Sequence, residues 1–483
     1  MSGRKYPNPS LFINGRSVTG RGAKEEMVID PSNEEVLGSY RSAAPEDLQE
    51  LLDSAAAGFE KWRRTSAYER CEILHKVAAA LRENAQEIGS LLTLETGKIL
   101  SESITEVRGA ADHFDWSGEE GRRLYGYTVP ARRAESRLRV ELEPLGIVFA
   151  LIPWNFPLGT SARKVAPALA AGCSVILRPP EEAPATVEAF VRCCQEAGLP
   201  PGVLNMVLGS PKDVVEPLMA SFSVRAVTFT GSTRVGKILI QQAADTVKHL
   251  VLELGGHAPA IVLPDADPKK VGVAAARAKF RNAGQVCVSP SRFIVHEKIV
   301  EPFTQAMVEE TRSIKLGSGF DAGAQMGPLT TARQRERVER LVEDARSKGA
   351  RILAGGQRPS GFNRGFFFEP TVLGDVPDTA LIFEEEPFGP VAPIIPVRSV
   401  QEAVEKANAV KWGLAGYLFT SSLADATKVS EAMQVGMVGL NTFAAAAPEA
   451  PFGGVKESGY GRECGLEGIR EFVSSKLIHT DIG

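Results

Sequence analysis

The feature that most constrains this chain is a hydrophobic period that changes repeatedly between about residue 145 and residue 265. Short β-rich runs at 146–152, 174–177, 203–207, 226–230 and 250–254 alternate with stretches whose apolar residues recur at helical spacing. Alternation of this kind predicts βαβ units and a parallel sheet covered by helices. The helix predicted over 186–197 stops at Gly198, where a left-handed C-cap carries no Cβ penalty, and Pro200 and Pro201 cannot continue it. A second α/β set begins near residue 267, where Asp267-Pro268 reads as an N-cap followed by proline at the first helical position, and implies a second domain. Before these sets, roughly the first 120 residues read as helix-rich. There Leu48, Leu51, Leu52, Ala55 and Phe59 recur at helical spacing, so the region is expected to cover one face of a larger domain. Residues 137–142 alternate charged and aliphatic side chains, the period of a strand with one wet face, which fits a surface hairpin or an oligomer contact.

With 483 residues the chain exceeds what one core covers, in agreement with two or more domains. Its formal charge of -4 argues against a nucleic-acid partner, which calls for a basic stripe. No segment approaches the roughly 18 apolar residues of a membrane span, and the opening MSGRKYPNPSLFINGR lacks an apolar signal core, so a cytoplasmic protein without a membrane partner is expected. Cys71, Cys173, Cys193, Cys194, Cys287 and Cys464 are scattered without a CxxC pair, and no HExxH occurs. They read as reduced thiols, and no metal site is expected.

Chemistry concentrates in a few short segments. Cys287 closes Gly284-Gln285-Val286-Cys287, where small residues leave a carbonyl room to approach the sulfur. A thiolate attacks carbonyls well, although a cysteine beside a glycine is by itself more often a buried core thiol. Glu253 ends a predicted strand and precedes two glycines, and its flanking leucines should desolvate it and raise its pKa toward general-base range. A solvated or salt-bridged glutamate at a strand end is the bland alternative, and His257 nearby reads as structural. Asn155, wrapped in Pro153-Trp154-Asn155-Phe156-Pro157, offers an amide donor held against water, as a developing oxyanion requires. Thr230 to Gly236 follows a strand and opens a helix, placing free backbone N–H groups where a pyrophosphate could sit. The similar-looking GYGREC at 459–464 follows no clear strand and is rejected as a dinucleotide loop.

Together these segments resemble the aldehyde dehydrogenase superfamily across nearly the whole chain. The matching motifs are PWNFP, PALAAG (167–172), FTGSTRVG (229–236), LELGG (252–256), GQVC (284–287), EEPFGP (385–390) and PFGGVKESGYGRE (451–463). The resemblance implies an α/β architecture divided into a Rossmann-like cofactor domain (1–121 and 145–254), a catalytic domain (255–457) and an oligomerisation arm with the C-terminal segment (122–144 and 458–483). It implies that Cys287 forms a thiohemiacetal and then a thioester, that Asn155 and the Cys287 N–H hold the oxyanion, and that Glu253 activates the hydrolytic water, which makes the oxidation irreversible. For the cofactor it implies Gly231 and Ser232 at the pyrophosphate, Glu386 and Phe388 at the nicotinamide ribose, and Trp154 along the groove. Glu181 matches an acid that binds adenosine ribose hydroxyls and would repel a 2'-phosphate, whereas Arg178 could pair with that phosphate. The balance favours NAD, with NADP the alternative.

Arg163 and Arg281 resemble the pair that holds a distal carboxylate in succinic semialdehyde dehydrogenases, and Cys287-Val288-Ser289-Pro290 looks closer still to α-ketoglutaric semialdehyde dehydrogenases. Each charge is expected to be partly buried and to need an anion. Ala446, Ala447 and Pro448 stand where some relatives carry a carboxylate-binding serine. The alternatives are a broad aldehyde dehydrogenase for neutral or aromatic aldehydes with structural arginines, and a catalytically silent binding protein on the same fold. The arm implies a homodimer or homotetramer.

Overall fold

Two sheets, largely parallel, carry most of the strands in the computed structural model, which describes residues 6–483. Residues 1–5 of the segment inspected for a signal core lie outside the described residues. The first sheet has eight strands in the order Arg16–Val18, Leu11–Ile13, Leu204–Met206, Ser174–Arg178, Ile147–Leu151, Val224–Thr230, His249–Glu253 and Gly459–Tyr460. Its five central strands are parallel, and each overlaps a β-rich run predicted from period. From Ile147–Leu151 the chain winds outward through 174–178 and 204–206, then returns to the other side for 224–230 and 249–253. The winding therefore reverses between Ile147–Leu151 and Val224–Thr230, and ligands of open α/β sheets bind at the carboxyl edge of such a reversal. PWNFP follows the first of these strands and Gly231-Ser232 the second, so both segments emerge at that edge.

Helices Pro157–Ala171 and Pro184–Glu196 pack into a core continuous with this sheet. Gly198 takes φ +102° two residues beyond the second helix, and a Cβ there would meet nothing within 4 Å, so its glycine answers to backbone conformation alone. The N-terminal region differs from its helical reading over residues 11–41, which form two hairpins, and helices begin at Pro45. In Pro45–Trp62, Leu48, Leu51 and Ala55 are buried as their spacing predicts.

The second sheet has seven strands in the order Arg351–Ala354, Thr371–Gly374, Val391–Val397, Pro290–His296, Ala258–Val262, Ala415–Phe419 and Met437–Leu440, all parallel except the first pair. Helix Pro268–Phe280 starts as read, with the Asp267 carboxylate accepting the N–H groups of Lys269 and Lys270 at 3.1 Å each. A third sheet joins Val473–Asp481, Ser136–Pro144 and Tyr127–Val129, and the predicted alternating strand is its central member. Gly459–Tyr460, read as following no strand, is itself an edge strand antiparallel to His249–Glu253, so the C-terminal segment is tied to the first sheet before it reaches the arm. Among the described residues no helix is long and apolar enough to cross a membrane.

Candidate active site

Cys287 follows a tightly turned segment. After helix Pro268–Phe280, Asn282 and Ala283 adopt φ +46° and +51°, and Gly284 φ +72°. A Cβ on Gly284 would lie 2.2 Å from the Gly389 carbonyl oxygen, so only glycine fits at the head of GQVC. Left-handed non-glycine residues in succession are strained backbone, held here by surrounding hydrogen bonds. Gln285 supplies several of these: its Nε2 donates to Asn282 O at 3.1 Å and its Oε1 accepts the Thr330 N–H at 3.0 Å.

Asn155 is fixed at both ends. Its Nδ2 donates to Gln285 O at 3.0 Å, while its carbonyl accepts from Lys98 Nζ at 2.9 Å and Asn282 Nδ2 at 3.2 Å. An amide nitrogen carries two hydrogens, so one donor remains for an oxygen held beside the cysteine loop. Lys98 is buried and paired with Glu106, whose other oxygen accepts the Leu158 and Gly159 N–H groups at the start of helix Pro157–Ala171. Sequence reasoning missed Lys98 and Glu106, because nothing local marks two residues that act by packing against PWNFP.

Glu253 ends its strand only 2 % exposed, and neither carboxylate oxygen has a hydrogen-bond partner. Burial and the Glu463 charge push its pKa well above the usual carboxylate value, with Lys164, Arg462 and Arg163 opposing. A buried ion pair joins Lys164 to Glu463, and Lys164 also donates to Thr228 Oγ1 at 3.0 Å. The Cys287 thiol is pushed up to about 12 by burial, against the pull of Arg163. With its proton retained, the thiol needs a base to become a nucleophile. His257 serves structure, as read, with ring nitrogens on Ser291 Oγ at 2.7 Å and Ile382 O at 2.8 Å.

The two arginines occupy different settings. Arg163 is half-buried, with its guanidinium carbon 4.3 Å from the Phe452 ring centroid and its Nε donating to His113 Nε2 at 3.4 Å. It is close enough to Cys287, Glu253, Glu463 and Cys464 to feel their charges, yet among the described residues no carboxylate forms an ion pair with it. Arg281 corrects the expectation of partial burial, for it is exposed, 5.5 Å over the Phe156 ring. It lines a cavity of about 310 Å³ with Ser101, Glu102, Thr105, Glu106 and Phe156. Tyr417, whose hydroxyl donates to Val288 O at 2.5 Å, feels both the Arg281 and the Cys287 charges, which places Arg281 within electrostatic reach of the cysteine loop.

The proposed dinucleotide residues also gather at the carboxyl edge of the first sheet. Ser232 caps helix Thr233–Ala244 by accepting the Val235 N–H, and the first N–H groups of a helix have no partner within it. A Cβ on Gly231 would lie 2.3 Å from the Phe229 ring, and the buried Thr230 hydroxyl has no hydrogen-bond partner. Trp154 and Phe388 meet edge to face at 5.5 Å, and Phe388 is held at φ +41° with its carbonyl on Gln334 Nε2 at 2.7 Å. Burial raises the Glu386 carboxyl to about 8 and lowers Lys279 to about 7, each charge moderating the other. Arg178 and Glu181, read as opposing votes on a 2'-phosphate, pair with each other at 2.9 Å, and Arg178 also bonds Gly209 O. A glycine with no room for a side chain, an orphaned hydroxyl and an open helix N-terminus fit a dinucleotide phosphate cradle.

Packing also assembles a set of potential metal ligands that no sequence spacing announced. Cys71, His75 and Glu119 come together, with His75 between Asp115 at 2.6 Å and Glu119 at 2.9 Å and Glu119 also paired with Arg122.

Sheet reversal, phosphate cradle and cysteine loop define a class, that of dinucleotide-dependent α/β oxidoreductases. The description of the aldehyde dehydrogenase family matches residues 18–478. The chain is 45 % identical to 4-(hydroxymethyl)benzenesulfonate dehydrogenase of Comamonas testosteroni, over 99 % of both chains. It is 38 % identical to the NADP(+) succinate-semialdehyde dehydrogenase of Escherichia coli, over 97 % of this chain and 96 % of the relative. Betaine aldehyde dehydrogenase of Staphylococcus aureus, solved in complex with NAD+, superposes with a TM-score of 0.95 at 34 % identity, covering 99 % of this chain and 95 % of that one. The chain belongs to the aldehyde dehydrogenase family and is an NAD(P)-dependent enzyme.

Proposed function

We propose that this enzyme oxidises an aldehyde carrying a distal carboxylate, succinic or α-ketoglutaric semialdehyde, to the corresponding acid. The observation that carries the reading is Arg163, a half-buried guanidinium beside Cys287 without a carboxylate partner among the described residues. A partly buried charge without a counter-ion is costly, and a substrate anion would relieve it. Arg281, exposed and within electrostatic reach of Tyr417 at the cysteine loop, is the second cation.

In this reading the Cys287 sulfur bonds to the aldehyde carbon, and its proton passes to a base. The free N–H of Asn155 and the Cys287 backbone N–H hold the oxygen of the thiohemiacetal. Bound NAD(P) supplies the hydride acceptor. Glu253 then takes a proton from the water that attacks the thioester and releases the acid and the thiol. Gly231, Ser232, Glu386, Phe388 and Trp154 hold the cofactor. Glu181 on the adenosine ribose favours NAD, although its pairing with Arg178 weakens its repulsion of a 2'-phosphate.

A second reading is favoured by the relative named for a benzenesulfonate, since a sulfonate is also an anion that guanidinium binds. Exposed Tyr127, Val129 and Leu477 on the arm fit burial against another subunit, in a dimer or tetramer. Initial rates of NADH and NADPH formation with succinic semialdehyde, α-ketoglutaric semialdehyde, 4-formylbenzenesulfonate and butanal test the proposal. A higher kcat/KM for the carboxylated aldehydes with NAD is expected. Preference for the sulfonate would move the substrate class to aromatic sulfonates, and equal use of butanal would make both arginines structural.

A further inference from the structure

Arg163 depends on a partner that no motif marks. His113, on helix Leu100–Gly121, is 8 % exposed, and its Nε2 accepts the Arg163 Nε–H at 3.4 Å. Its other nitrogen, Nδ1, lies 3.8 Å from the sulfur of Cys464, a buried residue held at φ +59°. The ring cannot carry a proton on Nε2 while accepting there, so the neutral ring carries its proton on Nδ1, directed at the Cys464 sulfur. Burial and the Arg163 charge keep the imidazole neutral, with its pKa lowered to about 3.

We infer that His113, steadied by Cys464, is a positioning residue for anion specificity, orienting Arg163 toward the substrate without cancelling its charge. A carboxylate in this place would orient the guanidinium equally well but would neutralise it, and the site would lose its attraction for an anionic tail. A neutral acceptor fixes Nε and leaves both Nη groups and the full charge for the ligand. The stacking of Arg163 on Phe452 restrains the guanidinium plane from another side. Phe452 is itself bridged to Glu463, the neighbour of Cys464, by two backbone hydrogen bonds of 2.7 and 2.8 Å, so the Phe452, His113 and Cys464 contacts form one support.

The inference rests on the proposal that Arg163 binds the anion, and the test separates the two. Steady-state kinetics with succinic semialdehyde and with butanal would be measured for the wild type, Arg163→Ala, His113→Phe and His113→Gln, with thermal unfolding to confirm folding. His113→Phe keeps a ring but removes the acceptor, and it should raise KM for succinic semialdehyde about tenfold while leaving butanal kinetics and kcat nearly unchanged. His113→Gln, whose amide oxygen can accept the same hydrogen bond, should recover most of the loss. If Arg163→Ala abolishes the preference for the anion and His113→Phe does not, the positioning role is wrong and the anion reading stands. If Arg163→Ala leaves the preference intact, the anion reading itself fails and the inference falls with it. Equal loss on both aldehydes in His113→Phe would overturn the inference by showing a general structural role.

Discussion

Glu253 shows how much a single side chain determines in this site. Its carboxylate is buried without a hydrogen bond and its pKa is raised, so the folded chain holds that proton more tightly than the unfolded chain does. A carboxyl shifted in this direction favours the folded state at low pH, and that contribution is lost as pH rises through the folded pKa. Glu253→Gln, which is uncharged at every pH, should therefore gain stability relative to the unaltered protein at pH 8 and less of it near pH 5, because only the cost of burying the ionised carboxylate is removed. Thermal unfolding at the two pH values checks this. The same substitution should slow thioester hydrolysis by about 100- to 10,000-fold while leaving a first-turnover burst of NADH, because the base acts after hydride transfer in the proposed sequence. Activity of the unaltered enzyme should rise with pH as Glu253 loses its proton. Cys287, Asn155 and Glu253 stand out in the sequence as candidates because each lies in a short motif whose neighbours suit the proposed chemistry. Lys98, Glu106, Lys164, Glu463 and His113 do not, since each reaches the site from another element and acts through tertiary contacts.

At the level of elements, helix ends carry the clearest consequences. The Asp267 side chain accepts two N–H groups at the start of Pro268–Phe280, so Asp267→Ala should cost about 1 kcal/mol, read from denaturant unfolding. Gly198→Ala should cost a similar amount, about 1 kcal/mol, through backbone strain alone, because the space around it is open. By contrast, Gly284→Ala drives a methyl group into Gly389 O and should displace the cysteine loop, with loss of activity out of proportion to loss of stability. The central strands of the first sheet were readable because each is a short β-rich run between stretches of helical period. The hairpins of residues 11–41 were not, since strands such as Leu11–Ile13 and Arg16–Val18 are too short to establish a period of two. Gly459–Tyr460 was unreadable for the same reason: its strand state comes from pairing with His249–Glu253.

For the whole molecule, the proposed anion site draws on distant parts of the chain: Arg163 from the first sheet's helix, Arg281 and Cys287 from the segment after Pro268–Phe280, and Phe452 from near the C terminus. The arm extends the same logic beyond one chain. Leu477 is 61 % exposed on its strand, and Leu477→Glu should reduce the assembly seen by light scattering if the arm meets another subunit. The central claim is that Arg163 selects an anionic aldehyde for Cys287, and the most direct test is the ratio of kcat/KM for succinic semialdehyde over butanal in the wild type and in Arg163→Ala. Loss of a charge-assisted hydrogen bond of about 1.5–3 kcal/mol predicts a fall in that ratio of about 10- to 100-fold, with butanal turnover retained. An unchanged ratio, or an equal loss on both aldehydes, would contradict it.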